Sequence, residues 1–170
     1  MVDKERDETE APTFLSAAAE VARLMDLDNA ASVPEDQRAR HLAHAVRKPL
    51  LERISLPEEF FPTLMTAAVY DPDPSFCRWF IEPAVYVFGR RRVMTALLNY
   101  AQTGTDTEQA GARRAWYCAH VPLRADRSPA YAPGGRRDPA LDESHDVVDK
   151  WLEHAASRSS RRERGSPPRS

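Results

Sequence analysis

His41 and His44 stand three residues apart, a spacing that on a helix brings two imidazoles toward one metal ion. No carboxylate or cysteine occupies a matching position nearby, and Leu42 and Val46 mark the buried face beside them. The pair reads as partly exposed polar residues, and no metal site is expected. Cys118 and His120 are the residue types of a nucleophile and its base. Two positions apart on a helix, they diverge by roughly 200° and cannot meet locally. One is assigned to the core and the other to the surface. Asp142, Glu143, His145 and Asp146 gather where a last helix should begin, and acids there answer the helix dipole. Glu82 is the one charge in an apolar run after Arg78, which precedes it by a helical turn. A surface ion pair is the expected state, and a buried carboxylate of raised pKa is the alternative. There is no glycine-rich phosphate loop, serine elbow, zinc spacing or dinucleotide fingerprint. No catalytic residue, metal ligand or cofactor is assigned, and a non-enzymatic role leads.

Arg90, Arg91 and Arg92 follow Gly89 at the predicted first turn of a helix, where unpaired N–H groups favour acids. Each cation there works against the local electrostatics by about 0.3–1 kcal/mol, and a tract that breaks a local rule marks a place to look for function. Guanidinium forks beside backbone N–H groups suit a phosphate or a partner's carboxylates. With Arg113 and Arg114 these residues form the candidate site for an anionic partner. The plainer alternative is that they pair with Asp71, Asp73, Glu82 or Glu108, or lie on a solvated face.

The elements that must position these groups are all helical. Residues 73–120 fall into three helix-length blocks, cut by Gly89 and by Thr103-Gly104-Thr105-Asp106. The first block is apolar on nearly every side, with Phe76, Cys77, Trp79, Phe80, Ile81, Ala84, Val85, Val87 and Phe88, so it should lie at the centre. Pro83 should bend it and Gly89 should cap it. Val93, Met94, Leu97, Leu98 and Ala101 give the next helix a stripe, and Thr105 with Glu108 forms a capping box for the third. Upstream, a first helix is expected near 13–27. A second enters at Pro34 with a stripe of Leu42, Val46, Leu50 and Ile54, which Pro49 should kink or break. A third is capped by Ser55 and Glu58, and the turn Asp71-Pro72-Asp73-Pro74 ends it. After 120 the chain turns rich in proline, glycine and charge, with Leu123 and Tyr131 its only large apolar anchors. A last amphipathic helix near 143–156 should dock through Val147, Val148, Trp151, Leu152 and Ala155. No alternation of period two is present. The resulting organisation is a disordered acidic tail over 1–12, a helical domain over 13–120, a loop over 121–142, a docking helix over 143–156, and a disordered arginine-rich tail over 157–170.

The 170 residues suit one domain with a sizeable core. A net charge of -2 argues against coating nucleic acid by bulk electrostatics. No apolar run approaches a membrane span and the amino terminus lacks a signal peptide's apolar core, so a cytoplasmic protein is expected. Cys77 and Cys118 are too few for a disulfide framework and read as buried reduced thiols.

Asp71-Pro72-Asp73-Pro74, Gly89, and Leu97-Leu98 before Gly104 occupy the places of an opening Asp-Pro turn, a terminating glycine and a leucine stripe. Over about residues 70–120 the chain thereby resembles the HEAT-like helical repeats, including their short bacterial kind. The resemblance implies an all-α stack of about seven helices in antiparallel hairpins, an α-α superhelix that binds another macromolecule, usually a protein. A protein-binding adaptor or regulatory module is therefore the leading reading. Nucleic-acid or polyanion binding through Arg90–Arg92 with Arg113 and Arg114 is the second, and a small helical enzyme or accessory subunit the third.

Overall fold

Local chemistry sets most of the helix ends. The computed structural model describes residues 10–27, 32–131 and 144–164, and among them it contains seven α-helices and no strand. Helix α1 (Phe14–Leu24) opens on a reciprocal capping box, in which the Ser16 N–H donates to Thr13 Oγ1 and the Thr13 N–H to Ser16 Oγ. Helix α2 (Glu35–Glu52) enters from Pro34 with Glu35 and Asp36 in its first turn, as the dipole favours. Helices α3 (Phe60–Tyr70) and α4 (Arg78–Phe88) are joined by the Asp-Pro turn. Gly89 alone links α4 to α5 (Arg90–Thr103), and its φ of 90° is a conformation that side chains disfavour. Helix α6 (Asp106–Trp116) opens on the Thr105–Glu108 capping box and tightens into a 3-10 turn over Tyr117–His120. Helix α7 (His145–Arg164) closes the fold.

Four expectations change. Ser55 and Glu58 do not cap α3, because the helix starts at Phe60 and leaves both ahead of its first turn; the Glu58 carboxylate meets Arg92 instead. Pro49 does not end α2. It falls within the last turn, and the helix continues to Glu52 even though the missing N–H forfeits a bond to the preceding turn. Ile54 lies past that end and is 59% exposed rather than part of the stripe. Helix α7 runs well beyond 156, so Arg158, Arg161 and Arg162 are helical. Most of the expected acidic tail (1–9 of 1–12), most of the loop (132–142) and the extreme carboxy terminus lie outside the described residues.

Consecutive helices pack in pairs, α1 on α2, α3 on α4 and α5 on α6, and cross-contacts of α3 with α1 and α6 join the pairs. The core runs through all of them, and its largest fully buried side chain is Phe80 of α4, met edge-on by Phe14 with ring centroids 6.2 Å apart. Phe80→Ala should therefore cost about 3–5 kcal/mol in chemical denaturation. A loss under 1 kcal/mol would place the centre of the core elsewhere. Helix α7 docks on α5 and α6 with apolar contacts from its first half, and further along Arg158 donates to the Gln109 side chain of α6. Trp151 stacks on Trp116 at 3.9 Å and Val147 is buried, whereas Leu152 is 60% exposed. No helix among the described residues is long and apolar enough to cross a membrane.

Candidate functional site

Glu82 lies one turn after Arg78 on α4, so the two side chains meet at 3.2 Å as helical spacing requires. The carboxylate is nevertheless buried, because residues 121–131 fold over it. From that segment Arg127 donates to Oε1 at 2.8 Å and to Oε2 at 3.2 Å. Burial pushes the Glu82 carboxyl up, but the Arg127 hydrogen bonds and the charges of Arg78 and Arg127 outweigh it and hold it below the ordinary glutamate value. The expected pairing is present, while the carboxylate is buried and depressed rather than raised.

The segment over Glu82 has no regular structure, yet it is anchored. The Arg124 N–H donates to the buried Tyr86 hydroxyl at 3.0 Å, and Tyr131 meets the Tyr86 ring edge-on. Leu123 and Tyr131 pack against Leu51, Tyr86 and Ala130, the anchoring role expected of them. Between this segment, α2 and α4 lies a cleft of two adjoining depressions, about 680 and 530 Å³, that share Arg47 and Arg127. Arg47, Lys48, Arg78, Arg124 and Arg127 face it against only Glu52, Glu82 and Asp126. Arg78 and Arg127 are engaged with Glu82, Arg124 with Asp126 and Lys48 with Glu52. Arg47 makes no ion pair among the described residues and sits 5.1 Å over the half-buried Trp79 ring. His44 touches the same indole from its edge. An unpaired guanidinium on an aromatic floor, beside further cations, suits a carboxylate or phosphate carried on a partly apolar ligand.

No family model, curated protein or solved structure matches the chain.

The arginines singled out in the sequence stand elsewhere, and the fold engages Arg90, Arg91, Arg92 and Arg114. Arg90 donates to the carbonyl oxygens of Ala119 and Val121, at and just beyond the end of the 3-10 turn, the latter at 2.8 Å. Arg91 pairs with Asp146 of α7 through a two-pronged contact that holds the Asp146 carboxyl down at about 2. Arg92 pairs with Glu58 and lies 4.0 Å over the Phe61 ring. Arg114 donates to the Asp71 carbonyl at the end of α3, at 3.2 Å. Arg113 is exposed. Burial of part of its guanidinium, then the neighbouring Arg158 and Arg114, push its pKa down, while Asp106 opposes them. His41 and His44 join no group of three or more ligand-type residues able to hold a metal among the described residues. His120 turns its Nδ1 to the Trp116 carbonyl and its ring onto the Trp116 indole, away from any role as a base for Cys118. Asp142 and Glu143 lie outside the described residues. The sequence reading passed over Arg47, Arg124 and Arg127. For Arg124 and Arg127 the available signal was arginine density in an otherwise structureless segment; Arg47, within α2, carried none.

Proposed function

We propose that the chain is a non-enzymatic helical-repeat module of the cytoplasm that holds an acidic segment of a partner protein in the cleft between α2, α4 and residues 121–131. The observation that carries this reading is Arg47, a cation without a counter-ion among the described residues, on the Trp79 face of a cleft where positive groups outnumber carboxylates. Acidic side chains of a peptide would complete that charge balance, and its apolar groups would cover the indole. The pairwise packing of consecutive helices supports the HEAT-like part of this reading.

A second reading, polyanion binding, draws on a different place. Arg113 of α6 and Arg158 of α7 lie near enough to repel, so a phosphate backbone along that seam would relieve both.

Fluorescence anisotropy with a labelled oligoglutamate peptide and a labelled single-stranded oligonucleotide separates the two. The double variant Arg47→Gln/Arg124→Gln should weaken the peptide about tenfold or more, equal to roughly 1.4 kcal/mol, with an unchanged melting midpoint. Arg90→Gln/Arg91→Gln/Arg92→Gln should lower the midpoint and leave peptide affinity intact. If the triple variant loses the peptide and the double one keeps it, the binding face lies at the start of α5. Preference for the oligonucleotide, with a steep salt dependence abolished by Arg113→Gln/Arg158→Gln, would favour the second reading.

A further inference from the structure

Cys77 and Cys118, separated by 41 residues, are brought together with their Sγ atoms 3.5 Å apart. Both are reduced. Cys77 is the buried residue immediately before α4, and Cys118 is half-buried in the 3-10 turn after α6. Neither sulfur is held in mid-helix, so side-chain rotation with a small shift of two helix ends can bring them to bonding distance of about 2.05 Å. Their surroundings are asymmetric. The Cys77 thiol can donate to Cys118 Sγ or to the Pro74 carbonyl at 3.4 Å. Donation from Cys77 pulls the Cys118 thiol down, with help from the charge of Arg78 and against burial and the charges of Asp71 and Glu82. The same bond, and then burial, push Cys77 up. The thiolate is the reactive form, so the more accessible sulfur is also the more nucleophilic.

We propose that Cys77 and Cys118 are a peroxide-oxidised dithiol, Cys118 being the sulfur attacked first and Cys77 the one that resolves it into an intrachain disulfide. In the first step the Cys118 thiolate attacks one oxygen of hydrogen peroxide. An S–O bond forms, the O–O bond breaks, and the departing hydroxide takes up the proton that Cys118 released, leaving as water. In the second, Cys77 sulfur attacks the sulfenic sulfur of Cys118. The S–S bond forms, the S–O bond breaks, and the hydroxide leaves as a second water with the Cys77 proton. Two thiols are oxidised and one peroxide is reduced to two waters. The close approach of the resolving thiol favours the disulfide over further oxidation of Cys118.

The test treats the full chain with a small excess of hydrogen peroxide. Expected are a mass loss of two hydrogen atoms, no free thiol under denaturing conditions, and one cross-linked peptide joining Cys77 to Cys118. Closing a loop of 41 residues should also raise the melting midpoint by roughly 10 °C, reversibly with dithiothreitol. Cys77→Ala should accumulate a dimedone-reactive sulfenic acid at Cys118, and Cys118→Ser should resist the same dose. The wild-type mass readout stands even where a variant folds poorly. Two thiols still titratable after treatment, disulfides only between chains, or equal peroxide consumption by Cys118→Ser would overturn the assignment.

Discussion

Gly111→Ala should destabilise the fold by about 2 kcal/mol or more, although helix propensity alone predicts the opposite sign. An alanine in a helix interior is favoured over glycine by about 0.8–1 kcal/mol. A Cβ built on Gly111 of α6 would stand 1.8 Å from the Val69 carbonyl oxygen and 2.7 Å from its carbon, near the end of α3. Those are backbone atoms, so no side-chain rotation relieves the clash and the two helices must part. Overpacking a tight interior costs about 1–3 kcal/mol, and the upper end or beyond applies where backbone is struck. The steric term therefore outweighs the propensity term. Parting α3 from α6 would also disturb Arg114, whose guanidinium reaches the Val69 and Asp71 carbonyls across that seam. A urea titration measures the loss, and an unchanged or raised midpoint would show that the helices do not approach so closely.

Gly111 also shows what the sequence makes legible. An isolated glycine inside a helical pattern signals close packing, but it does not say against what. Features fixed by near neighbours were readable: the Thr105–Glu108 box, the Gly89 cap, the acidic entry to α2, and Arg78 beside Glu82. Features fixed by distant neighbours were not. Arg127 reaches Glu82 across 45 residues, Arg91 reaches Asp146 across 55, and the two cysteines meet across 41. The arginines at the start of α5 break the dipole rule for their own helix for the same reason. Arg90 serves carbonyl groups at the far end of the α6 turn, where a cation is favoured, so the local cost has a tertiary return. Local electrostatics identified the anomaly correctly, and only the fold shows that part of it is a fastening between helices.

Asp71→Ala should cost about 3–5 kcal/mol, a large share of the roughly 5–15 kcal/mol that holds a domain of this kind together. The side chain is fully buried at the end of α3. Its two oxygens take a forked contact from Arg40 of α2 at 2.9 and 2.6 Å, and one of them also accepts from the Asp73 N–H at 3.0 Å. Asp71 thus ties α2 to the turn that launches α4, a job the sequence showed only as an Asp-Pro stop. Arg40 is itself enclosed, with its guanidinium 4.9 Å from the Phe14 ring, 4.5 Å from Phe76 and 5.7 Å from Trp79. Removing the carboxylate leaves that cation among aromatic rings with no counter-ion and leaves the Asp73 N–H without its acceptor. Arg40 keeps 31% of its side chain exposed, so water recovers part of the loss and the lower half of the range is expected. The pair contributes less than its disruption costs, because both charges had to be desolvated. Arg40→Met combined with Asp71→Leu should therefore lie well above the single variant in stability. Chemical denaturation of wild type, Arg40→Met, Asp71→Leu and the double variant gives the coupling directly. A loss below 1 kcal/mol for Asp71→Ala, or simple addition of the two single losses in the double, would mean that the ion pair does not hold the α2–α4 junction.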